Sequence, residues 1–298
     1  MKILTAVKDY LVEIEIRKYS PRTIKVAKTK LNRFAMFCQE EMDITEIEDV
    51  TPPVIKRYTQ FMMRKGYKGI TINGTLKSIK VFVQYCFEEG YGGFDTRKGG
   101  FKMVKQEKPV INAFTRKDVK LMLDNCRGLD YFSIRDNALL TLFFETGVRC
   151  REALTIKPDD IKDDYILING KNNKQRVVPI TPLMRKAFIR YDRAKEAYFD
   201  GKRTENLYFL SKSGREISNV NILDIMHKRG KGIKDVRVSP HTCRHFFAQQ
   251  QVKMGTDLYT ISRLLGHESV AITQIYLNSL KDEDIIKMTK HNSVLMNM

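Results

Sequence analysis

Near the C-terminus the chain carries His241-Thr-Cys-Arg244-His, then Leu265-Gly-His267, with Tyr276 nine residues beyond that histidine. A phenol, a guanidinium and imidazoles in one stretch suit phosphoryl transfer. Cutting a phosphodiester by transfer needs a nucleophile at phosphorus, cationic donors for the non-bridging oxygens, and an acid for the leaving oxygen. Tyr276 can be the nucleophile. A phenol titrates near pH ~10 and is weak unaided, so we expect guanidinium groups nearby to lower that value. Taken alone, Ile272 to Leu277 reads as an amphipathic helix, and Tyr276 is one of 13 tyrosines.

Arg244 and Arg149 can form the clamp, because arginine grips two phosphate oxygens in a planar fork and keeps its charge. Arg149 follows Gly147, which marks a helix end or a close approach. Glu152, three residues on, shares its helix face and can orient it; Arg151 is a rival for the clamp. Lys171, at the tip of a turn, can protonate the leaving oxygen if arginines and desolvation depress its pKa; Lys174 is its rival. His241 and His267 can shuttle protons or donate to the phosphate. His241 and His245 also have the spacing of a metal pair, but no HExxH glutamate accompanies them and Arg244 would stand beside the cation. No acidic pair stands out as a magnesium ligand set, so chemistry without metal or cofactor is expected.

These residues need elements to hold them. Residues 1–91 read as four helices: Ile3, Val7, Leu11 and Ile14 recur with helical spacing, and Ser20-Pro21 and Thr51-Pro52 are helix starts. The fourth helix carries Ile72, Leu76, Ile79, Val83 and Phe87. Lys25, Lys28 and Asn32 form one polar row; Asn73, Lys77, Lys80 and Gln84 form another. Such rows suit contacts in a nucleic-acid groove, although any single lysine among them reads first as part of an ordinary solvated face. Residues 92–112, with paired glycines, lysines and Pro109, read as a basic linker.

Residues 113–298 read as mainly helical with a small antiparallel sheet, an α+β arrangement. Thr115 to Asp118 and Ser133 to Asp136 each predict a capping box. Tyr165–Ile168 and Arg176–Ile180 flank a turn-rich hairpin. Thr181-Pro182 and Ser239-Pro240 start helices, the second bearing His241 and Arg244, and Leu207–Leu210 is expected as a further strand. Ile285, Ile286 and Met288 predict a short amphipathic helix before the apolar end Val294–Met298.

Composition narrows the partner. Lys and Arg total 53 against 35 Asp and Glu, a net +18, which points to a polyanion such as nucleic acid. Five cysteines without a CxxC pair exclude a disulfide framework or a zinc ribbon. With no apolar run of membrane length and an acid early in the chain, a cytoplasmic protein without membrane contact is expected.

Together the motifs resemble the tyrosine recombinase (integrase) family. Its first arginine lies in a Thr-Gly-x-Arg-x-x-Glu-Leu pattern, matched by Thr146 to Glu152 with Ala153 before Leu154. Its hairpin lysine pattern fits Gly170-Lys171-Asn172-Asn173-Lys174-Gln175-Arg176, with Asn172 in a glycine position. His241-Thr-Cys-Arg244, Leu265-Gly-His267 and Tyr276 complete the set in order. The resemblance implies a four-helix core-binding domain at 1–91 and a catalytic domain at 113–298, with no arm-binding domain ahead of the first helix. It implies that Tyr276 forms a 3′-phosphotyrosyl link on double-stranded DNA. Arg149, Arg244 and His267 hold the phosphate, Lys171 is the acid and His241 assists at the tyrosine. It further implies a homotetramer on two synapsed sites, with a related recombinase or accessory protein as another partner. The tail 277–298 docks in a neighbouring subunit or folds back on its own. A DNA-binding regulator on this scaffold and a type IB topoisomerase are the alternatives. Integration or excision of a mobile element, inversion and Xer-type resolution remain open as roles.

Overall fold

A computed structural model describes residues 1–105, 113–170 and 174–277. It divides into two compact units, Met1–Lys108 and Pro109–Met298.

The first unit is built from α1 (Ile3–Ile16), α2 (Pro21–Met42), α3 (Pro52–Arg64) and α4 (Gly69–Glu88), with a 3-10 turn at Ile47–Asp49. α2 starts where its sequence predicts, with Ser20 Oγ accepting from Thr23 N and Pro21 in the first turn. The apolar stripes meet in one core around Leu31, Phe34, Tyr58, Met62, Leu76, Ile79 and Phe82. Lys25, Lys28 and Lys77 remain exposed, and Lys80 is half-buried.

Two expectations fail here. Asn73 does not stand ready for a groove: its amide donates to the Val104 carbonyl at 2.9 Å and accepts from Val104 N at 2.8 Å. Gln84 is similarly taken, accepting from Thr96 N and Thr96 Oγ1. A carboxamide presents one donor and one acceptor side by side, so it completes a peptide group that no strand or helix serves. The segment expected as linker therefore begins as part of this unit, with Phe94, Phe101 and Val104 packed on its core.

The second unit wraps α6 (Tyr131–Thr146), which is buried on nearly every side. Around it lie α5 (Arg116–Asp124), α7 (Cys150–Leu154), β1 (Tyr165–Asn169), β2 (Gln175–Pro179) and α8 (Pro182–Phe199). α9 (Asn219–Arg229), α10 (Pro240–Lys253), α11 (Leu258–Leu265) and α12 (Val270–Gln274) complete it. The strands pair antiparallel, with Tyr165 opposite Pro179 and Asn169 opposite Gln175. Thr115 and Asp118 form the expected capping box.

The second predicted box is not one. Asp130 caps α6 by accepting from Ser133 N, which puts Ser133 and Asp136 inside the helix. Asp136 is instead the buried carboxylate between Arg135 and Arg229, at 2.7 and 2.8 Å. Leu207–Leu210 is no strand either. The peptide N–H of Tyr208 donates to the Ile156 carbonyl at 2.7 Å, but the carbonyls bond to side chains: Tyr131 Oη and Arg135 Nη1 donate to Leu210 O, Lys195 Nζ to Leu207 O, and Tyr191 Oη to Tyr208 O. That satisfies the buried backbone without a ladder. Among the described residues no helix is long and apolar enough to cross a membrane.

Candidate active site

The site begins where α6 ends. Gly147 closes that helix at φ +61°, and a Cβ there would meet Phe247 Cδ1 at 2.6 Å and Leu265 Cδ2 at 2.8 Å. Glycine is therefore required both for the left-handed turn and for the close approach. Arg149 is the N-cap of α7. Its peptide N–H donates to Glu152 Oε2 at 2.8 Å and its guanidinium Nη1 to Glu152 Oε1 at 2.8 Å. Glu152 thus satisfies an orphan amide of the helix start and fixes the guanidinium together. Arg149 keeps 46% of its side-chain surface. Arg151 is exposed and lies outside this network.

Arg244 reaches the same place from α10. Its Nη1 donates to Gly147 O at 2.9 Å and its Nη2 to Leu265 O at 2.8 Å. Arg149 donates to Leu265 O and, at 3.0 Å, to Gly266 O. The two arginines, distant in sequence, therefore converge on one carbonyl at the end of α11. Arg244 is 3% exposed, and burial, then the Arg149 charge, bring its pKa down to about 10. Arg244 is braced by neutral carbonyls and shares the Glu152 charge with two other arginines, so the cluster carries excess cationic charge and favours an arriving anion.

Sequence reasoning missed Arg176. It donates through Nη1 and Nη2 to Glu152 at 3.1 and 2.7 Å, and through Nε to Leu264 O at 2.7 Å. Burial pushes the Glu152 carboxyl up, but Arg176 and Arg149 outweigh it and hold the group below its usual value. The strand pattern contained a signal: Arg176 shares the inward face of β2 with Val178, where an apolar residue is the rule.

Tyr276 is 2% exposed and packs with Phe247, Ala248, Val252, Ile261 and Leu265. Its Oη lies 3.0 Å from His245 Nδ1, and Arg244 also hydrogen-bonds it. The expected lowering of its pKa is reversed. Burial raises it, and the Arg244 and Arg149 charges only reduce that rise. The histidine at the phenol is His245, not His241; the His241 ring sits edge-on to His245 with centroids 4.2 Å apart. His267 follows the α11 cap Gly266, and its Nδ1 pairs with Thr273 Oγ1 at 2.8 Å. Burial first, then the arginines, bring His267 down to about 4; burial, His241 and Arg244 do the same to His245.

Lys171 lies outside the described residues. The foot of its hairpin is described: Gly170 N donates to Lys174 O at 2.9 Å, and a Cβ on Gly170 would be 3.9 Å from Glu152 Oε1. Lys174 is exposed. The tail 278–298 also lies outside the described residues.

Comparison with known proteins fits this layout. The model for the phage integrase family matches residues 112–283, and that for the phage integrase SAM-like domain matches residues 3–98. Tyrosine recombinase XerC of Thermodesulfovibrio yellowstonii is 29% identical over 276 residues, 90% of this chain and 89% of that protein. Tyrosine recombinase XerD of Halalkalibacterium halodurans is 26% identical over 268 residues, 89% of each. A crystal structure of XerH site-specific recombinase bound to palindromic difH substrate matches with TM-score 0.76 at 16% identity, covering 94% of this chain and 82% of that one. A lambda integrase tetramer bound to a Holliday junction matches with TM-score 0.74 at 14% identity, covering 93% and 77%. At such identity the structural likeness speaks for the fold.

Proposed function

The chain belongs to the phage integrase family, and from that premise we propose that it is a site-specific DNA recombinase that breaks and rejoins strands through Tyr276. The observation that carries this is the convergence of Arg149 and Arg244 on the Leu265 carbonyl, beside both His267 and the Tyr276 phenol. A scissile phosphate seated there replaces the carbonyls as the partner of both guanidinium groups. The donors are fixed before charge develops, which is the condition for strong electrostatic stabilisation.

In this mechanism Tyr276 Oη attacks phosphorus and forms a 3′-phosphotyrosyl bond. Arg149 and Arg244 hold the non-bridging oxygens while Glu152 and Arg176 hold Arg149 and the α11 end in place. His267 donates to the phosphate. Lys171, carried on the β1–β2 hairpin, protonates the departing 5′-oxygen. The 5′-hydroxyl of a partner strand reverses the step, so the bond energy is conserved. Lys25, Lys28, Lys77, Lys80 and Lys174 contribute phosphate contacts, and the net charge of +18 supports a DNA partner. Four copies act on two synapsed duplexes, in keeping with the tetrameric neighbour.

The test is covalent capture. On a nicked suicide duplex the wild-type protein should form a protein–DNA adduct resistant to denaturant, and Tyr276→Phe should form none. Adducts that persist in the variant would refute the assignment.

A further inference from the structure

The family resemblance gives help at the phenol to His241, but the ring bonded to Oη is that of His245. We propose that His245 is a further catalytic residue, the base whose Nδ1 takes the proton of Tyr276 as Oη attacks phosphorus; this rests on Tyr276 being the nucleophile.

The geometry singles out His245. α10 is capped by Ser239, with Pro240 in its first turn, which fixes where the helix starts and so which faces its residues present. His241 and His245 lie one turn apart on it. The ring one turn deeper is the one bonded to Oη, at 3.0 Å, within the reach a general base requires. Arg244 also meets the phenol but stays protonated at neutral pH. His267 spends its Nδ1 on Thr273 Oγ1. His241 packs against the far ring rather than the phenol.

Electrostatics make this base dependent on substrate. Burial, then His241 and Arg244, hold His245 near 4, so at neutral pH the ring is uncharged. Hydrogen-bond logic then assigns the ring proton to Nε2 and leaves the Nδ1 lone pair facing the phenol. Without DNA the proton stays on Tyr276, whose own pKa burial has raised. A phosphate seated on Arg149 and Arg244 cancels cationic charge felt by both groups. The imidazole gains proton affinity, and the forming O–P bond makes the phenol acidic.

The step balances. The Oη–H bond breaks and its electron pair becomes the Oη–P bond, while the proton forms an imidazolium at His245. The P–O5′ bond breaks, and the leaving oxygen takes a proton from the acid to become a 5′-hydroxyl. On rejoining, the imidazolium returns its proton to the phenolate.

His245→Gln tests the assignment, because glutamine can accept the phenol hydrogen bond but cannot carry its proton away. The probe is a nicked duplex whose core sequence the wild-type protein has selected from random DNA. First-order cleavage should fall by about 100-fold or more, the usual scale of general-base catalysis, with DNA affinity and Tm unchanged. Placing at position 276 a fluorinated tyrosine that ionises near neutral pH should bring the variant to within about tenfold of its His245 counterpart, since the phenol then needs no base. A merely structural role predicts no such rescue. His245→Gln cleaving within about threefold of wild type, or equally slow with the fluorinated phenol, would overturn the proposal. A 5′-bridging sulfur, which leaves without an acid, should not restore the variant; restoration would move His245 to the leaving-group side and also overturn it. Adducts in Tyr276→Phe would instead indict the nucleophile.

Discussion

Replacing Glu152 by glutamine keeps the shape of the side chain and removes its charge. The carboxylate is 7% exposed and receives Arg149 N and Nη1, each at 2.8 Å, and Arg176 Nη1 and Nη2 at 3.1 and 2.7 Å. Glutamine has one oxygen for these donors, and its NH2 group must face another. Whichever way the amide turns, donor opposes donor on one side, and Arg149, Arg176 and Arg244 lose their shared counter-charge. Breaking a buried ion pair by removing one partner costs about 3–5 kcal/mol. Arg149 is nearly half exposed, so solvent screens its share and the lower end, about 3 kcal/mol, applies. For a unit of this size each kcal/mol shifts Tm by about 2–4 °C, so the unit bearing Glu152 should melt roughly 6–12 °C lower. Calorimetry near pH 7 reads this directly. Millimolar inorganic phosphate should recover more Tm than it adds to wild type, because an anion between the arginines replaces part of the lost charge. A Tm within about 2 °C of wild type would show that the carboxylate is not what holds the arginines together.

Three further outcomes are expected. Gly147→Ala puts a Cβ 2.6 Å from Phe247 at φ +61°, so it should destabilise the second unit by about 1–3 kcal/mol in urea titration; a neutral effect would deny the tight approach. His245 and His267, held near 4 when folded, bind protons more readily when unfolded. Their contribution is complete above the unfolded pKa of about 6.5 and is lost as pH falls towards 4. Urea stability should therefore drop between pH 7 and pH 5, less so in a variant with both histidines replaced by glutamine, and an unchanged pH slope in that variant would refute the assignment. In the first unit, Asn73→Ala should lower stability by about 1–3 kcal/mol through the unpaired Val104 peptide, whereas Lys77→Ala should leave Tm alone and reduce the salt slope of DNA binding by about one. The reverse pattern would restore Asn73 to the DNA-facing row.

The sequence made the helices of the first unit legible because their apolar spacing and proline-bearing starts act locally. It made the arginine pair legible because glycine and glutamate at fixed offsets from Arg149 announce a turn and a partner. It misjudged side chains whose partner is a distant peptide group. Asn73 and Gln84 look like solvent-facing amides until Val104 and Thr96 come round to meet them. Ser133 and Asp136 imitate a cap, but Asp136 answers Arg229, a residue far along the chain. Leu207–Leu210 has strand composition because Tyr208, Phe209 and Leu210 are buried, not because the segment joins a ladder. The balance at Tyr276 was illegible for the same reason: guanidinium charge is visible in sequence, and the depth of its burial is not.

The carbonyl of Leu265 has a consequence of another kind. It braces two arginines through a main-chain oxygen that any of the twenty amino acids would supply. A side-chain scan across residues 264–266 would therefore report on packing and on the glycine turn, and stay silent about the oxygen. What this position contributes is a path of the main chain, set by the left-handed cap at Gly266, rather than a side-chain identity. Exchanging the leucine for a side chain that still packs would leave the oxygen in place, whereas one residue inserted within α11 would turn it by about 100° away from both guanidinium groups.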